Sequence, residues 1–180
     1  MITRISLAFL FSLFVIFGSQ ASAFQRDHLT QQEVDLVKEA QILDKRIDVF
    51  IKAAERRLMV INNSSAANAK QLKKDSERWG ELPTGSRAEL VSDIARILDE
   101  AITNIDDVSA RDERNPLIAK SLRKLAVAVN SILTQLKPIS TEAKSDAEIA
   151  SFEMLHEDAQ SILEAANRLP AEVEKKAKKN

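Results

Sequence analysis

Ser86–Ala110, SRAELVSDIARILDEAITNIDDVSA, is the stretch whose reading decides the fold. Its apolar positions Val91, Ile94, Leu98, Ala101, Ile105 and Val108 lie alternately three and four residues apart. A helix with that heptad rhythm carries one narrow apolar seam. Such a seam is stable only when buried against others of the same kind. Ser86-Arg87-Ala88-Glu89 supplies a capping box at its start, and the charged run Arg111–Arg114 follows its end.

Working outward, three more stretches carry matching seams. Downstream, Asn115-Pro116 opens a helix expected over 116–138, with Ile118, Leu122, Leu125, Val129, Ile132 and Leu136 inside and Pro138 ending it. A further helix is expected over 141–169, with Phe152, Leu155, Ala159, Ile162, Ala166 and Leu169 inside and Pro170 at its end. Upstream, Thr30 and Glu33 form a second capping box. One long helix is expected to follow, burying Val34, Val37, Leu43, Ile47, Phe50, Ala54, Leu58 and Ile61, until Asn62-Asn63-Ser64-Ser65 stops it. A short extra helix over 66–78 and a compact Trp79–Gly85 turn fill the first connection. The expected fold class is all-α, an up-down antiparallel four-helix bundle with coiled-coil-like seams. In charge, the helix over 116–138 holds Lys120, Arg123, Lys124 and Lys137 and no acid, while those before and after it are acidic. This favours a basic helix flanked by two acidic ones.

Residues 1–23 read as a cleavable signal peptide. Arg4 is the charged leader, Ile5–Phe17 the apolar run, and Ala21-Ser22-Ala23 the small-x-small site, with cleavage after Ala23. The apolar run is shorter than a membrane span needs, so no transmembrane segment is expected in the mature chain. The division is therefore signal peptide 1–23, bundle domain 24–170 and a Lys-rich tail 171–180, in a protein that works in the periplasm or outside the cell. With no cysteine, disulfides, thiolate metal sites and covalent haem attachment are excluded. The balance of 26 basic against 27 acidic residues, with one Trp and no Tyr, gives neither the charge nor the stacking groups of a nucleic-acid reader.

Catalytic motifs are missing. Neither G-x-S-x-G, H-E-x-x-H nor a glycine-rich phosphate loop occurs. Glu153-Met154-Leu155-His156 is an E-x-x-H that resembles half of the di-iron motif of ferritin-like bundles. The second copy that motif needs is absent, since the other histidine is His28, ahead of the first helix. Glu153 and His156 stand as the metal candidates, against the plain reading of a solvated Glu and a seam-edge His. Met59 and His156 do not suit a haem, because helix rise sets them roughly 20 Å apart along the bundle.

Two basic features remain. Arg56, Arg57, Lys70, Lys73, Lys74 and Arg78 converge if the short helix folds back, and Lys175, Lys176, Lys178 and Lys179 form the tail. Solvation accounts for such runs by default; their functional reading is attachment to a protein partner or an anionic surface. Trp79 beside them is either a plug on the end of the bundle or a contact. The expectation is therefore a non-enzymatic exported bundle that binds a macromolecule or surface, without cofactor, through Trp79, Lys70, Lys73, Lys74 and Arg78. A bundle carrying a small ligand or metal is the alternative. Self-association through Leu36, Val49 and Ile51, which lie off the main seam, is the third.

Overall fold

The computed structural model describes residues 27–63 and 69–170. The expected signal peptide and the Lys-rich tail lie outside these residues, as does the start of the short extra helix. The described residues are all-helical, with no strand, and form α1 (Gln31–Glu39), α2 (Leu43–Ile61), α3 (Ala69–Trp79), α4 (Arg87–Arg111), α5 (Pro116–Ser140) and α6 (Asp146–Asn167). None of these helices is long and apolar enough to cross a membrane.

Both capping boxes form. The Glu33 amide donates to Thr30 Oγ1 at 3.3 Å while the Thr30 amide donates to Glu33 Oε2 at 2.9 Å. Ser86 and Glu89 repeat the arrangement at the start of α4. Asn115 Oδ1 accepts from the Leu117 amide at 3.0 Å, with Pro116 in the first turn where no amide is missed. The stop after α2 is Asn63, at φ 51°, a left-handed conformation that asparagine tolerates.

Three boundaries differ from expectation, each for a local reason. The first long helix breaks at Ala40–Ile42, where Ile42 is extended and Arg46 Nε donates to the freed Ala40 carbonyl at 2.9 Å. An unbroken helix would carry Leu43 about 120° around from Val37, whereas both now face the core. α5 runs two residues past Pro138 because the last turn is closed by side chains. Ser140 Oγ donates to the Lys137 carbonyl and Thr141 Oγ1 to that of Pro138. α6 begins at Asp146, capped by Ser145, whose Oγ accepts from the Glu148 amide.

The core is the sum of the seams. Ile47, Phe50 and Ala54 of α2, Ile94, Leu98 and Ala101 of α4, Leu125, Val129 and Ile132 of α5, and Leu155, Ala159 and Ile162 of α6 are all buried in one cluster. Each large apolar side chain contributes about 1.5–3 kcal/mol when withdrawn from water. α4 packs on α2 and α6, and α5 packs on the same two, while α1 lies outside against α2, and α3 lies against α1 and is tied to α2 by side chains.

The expected charge order does not hold. The acidic α4 and α6 abut most extensively, and basic α5 finds its counter-charges on α2, where Lys124 Nζ lies 2.7 Å from both Asp44 and Asp48 and Lys120 lies 3.0 Å from Asp44. The seams decide the neighbours, because the charges sit outside them. The arrangement has a local cost: burial, then the nearby Asp99 and Glu157, push the Asp158 carboxyl up. Arg87 offsets part of it by reaching Glu148 at 2.7 Å, which ties the starts of α4 and α6 together.

Candidate functional site

The expected basic convergence splits in two. Lys70, Lys73, Lys74 and Arg78 are exposed along α3. Arg56 and Arg57, on α2, are instead each about 1% exposed and belong to the interior. Their position explains why. Arg57 follows Phe50 and Ala54 by seven and three residues, on the buried stripe, so its guanidinium enters the protein.

Two carboxylates and two backbone carbonyls meet them there. Glu33 is wholly buried; its Oε1 accepts from Arg56 Nε at 3.2 Å and from Arg57 Nη1 at 2.8 Å, and its Oε2 lies 2.8 Å from Arg57 Nη2. Asp93 of α4, itself buried, lies 3.7 Å from Arg57 Nε. Arg57 also donates to the carbonyls of Ala53 and His28. Burial draws the Arg56 guanidinium below its ordinary pKa, with Glu33 opposing the shift.

Arg56 Nη2 points outward from this network and donates to the carbonyls of Trp79, Gly80 and Glu81. Its guanidinium also lies 5.7 Å from the centre of the Trp79 ring. One buried cation thus collects the carbonyl end of α3 and fixes the turn behind it. Gly80, at φ 65°, closes α3 with its amide on the Ser76 carbonyl, and a Cβ there would stand 3.0 Å from Gln32. Lys52 adds an ion pair to Asp75 at 3.4 Å.

Trp79 is half-buried, and with Arg78 it walls a groove of about 570 Å³ against the α1–α2 corner. Leu36 and Val49 are among the apolar residues lining the groove, and Ile42 on its edge is 57% exposed. Leu36 and Val49, expected to be available for self-association, are buried here, and Ile51 packs against the core.

A second groove, of about 730 Å³, runs between the end of α5 and the start of α6. Leu136 and Leu155 are its buried floor, Leu133 and Phe152 its half-buried sides, and Ile149 is 42% exposed at one end. Glu153 and His156 stand exposed on its α6 edge beside Glu157. Among the described residues no group of three or more His, Asp or Glu side chains is placed to hold a metal ion. No family model, curated protein or solved structure matches the chain.

The Glu33–Arg56–Arg57–Asp93 network was not expected. Its signal is a pair of arginines interrupting the apolar stripe of α2, where the heptad rhythm calls for Leu or Ile. Glu33 gave no such signal, since a capping-box glutamate is ordinarily solvated.

Proposed function

We propose that this is an exported, non-enzymatic four-helix-bundle protein, with α2, α4, α5 and α6 as the bundle and α1 and α3 as its outer layer. It acts by binding an anionic macromolecular partner on the exposed basic face of α3. The observation that carries this reading is the way α3 is held. A buried arginine collects three successive carbonyls at its end. That fixes a helix which itself buries little, and so keeps Lys70, Lys73, Lys74, Arg78 and the Trp79 groove in one orientation toward solvent. A fixed display of charge lowers the ordering cost of association and favours fast encounter with an oppositely charged surface.

Chemical cross-linking in the protein's own extracytoplasmic fraction tests this reading. Cross-links should form from Lys70, Lys73 or Lys74 to one partner. They should disappear in Trp79→Ala combined with Lys73→Glu and Lys74→Glu, read through the remaining Lys70 and with helicity unchanged by circular dichroism. Undiminished capture ends the reading. The alternative, a bundle carrying a small ligand or metal, draws on the adjacent Glu153 and His156 at the α5–α6 groove. Native mass spectrometry would show it as added mass that disappears in His156→Ala.

A further inference from the structure

We propose that the groove between α5 and α6 is a self-complementary docking surface, occupied by the same groove of a second copy of this chain. The surface is distinct from α3 and independent of the reading given there. Its apolar centre is Leu133, Phe152 and the exposed end residue Ile149, and its two edges carry opposite charge. Lys137 stands on the α5 edge, and Glu153 and Glu157 on the α6 edge. Among the described residues none of these three has an ion-pair partner within the chain.

The two helices run antiparallel, since Arg123 near the start of α5 donates to the Pro170 carbonyl just beyond α6. A twofold axis lying in the face, parallel to the helices, therefore lays α5 of one copy on α6 of the other. Lys137 of each then meets Glu153 and Glu157 of its mate at the same level, and the apolar centres close on each other. An isologous contact requires this kind of match between a surface and itself. A small anionic ligand fits the acidic α6 edge poorly, and a small cationic one would leave Lys137 unanswered.

The groove is smaller than the roughly 20–30 residues a side of a standard interface, so the contact is a weak one, with a dissociation constant on the order of 10–100 μM. Sedimentation velocity of the purified protein from about 1 to 500 μM should show a monomer–dimer equilibrium in that range. Lys137→Glu alone should weaken it at least tenfold, as should Glu153→Lys with Glu157→Lys, and the three changes together should restore it. All these positions are exposed, so folding is preserved, and circular dichroism checks that. A monomer at every concentration overturns the proposal. So does a dimer indifferent to the charge reversals, or a monomer that carries a bound small molecule in native mass spectrometry.

Discussion

Two guanidinium groups share the Glu33 carboxylate out of reach of water, so each member of the network depends on the others being present. Removing one charge leaves another buried and uncompensated, at about 3–5 kcal/mol. Glu33→Gln should therefore lower stability by about that amount, read from the denaturant midpoint at unchanged slope. A loss under about 1 kcal/mol would mean that water reaches the arginines. Asp158 sits in the opposite situation. Its carboxyl is held above the ordinary value by burial and by Asp99 and Glu157. The neutral form is thus favoured by folding, and that contribution is complete below pH about 4 and lost as pH rises through the raised value. Asp158→Asn should accordingly raise the melting temperature at pH 7 and leave it nearly unchanged at pH 3; an equal gain at both would sink the electrostatic account.

At the scale of elements, the seam residues read from the sequence are the ones that build the core. Heptad spacing responds only to burial, and four of the six helices are governed by burial. The break at Ala40 was not legible because each half of the stripe keeps its own rhythm and only their relative phase fails. Helix neighbours are not legible in net charge for a related reason: net charge describes a whole helix, whereas pairing depends on which side each charge occupies. Of the candidate site, the exposure of Lys70, Lys73, Lys74 and Arg78 followed from pattern, but the anchoring of α3 by Arg56 is a long-range event without local trace. That anchor can be loosened without touching a charge. Gly80→Ala forces a side chain into the left-handed region beside Gln32, at about 1–2 kcal/mol. Hydrogen exchange in α3 should then quicken selectively; equal acceleration in α4 and α5 would show instead that α3 unfolds only with the whole.

For the molecule as a whole, acid is the informative perturbation. Arg87 and two backbone amides hold Glu148 at about 2, and Lys124 and Lys120 hold Asp44 below its ordinary value. Both groups are depressed, so their contribution is present above their ordinary values of 4.5 and 3.8 and is lost as pH falls through the folded ones. Stability should decline between about pH 4.5 and 2, and Glu148→Gln with Asp44→Asn should flatten that decline; an unchanged acid profile would place the sensitivity elsewhere. The Glu33 network bears finally on the order of assembly. It joins residues 28, 33, 56, 57, 79 to 81 and 93, so a chain emerging from its amino end has both arginines long before it has Asp93. Until then, Glu33 is the one carboxylate of the network to balance two guanidinium groups, and enclosing both is costly. Burial of the pair is thereby tied to the arrival of α4, a dependence on chain order made from two carboxylates and two guanidinium groups.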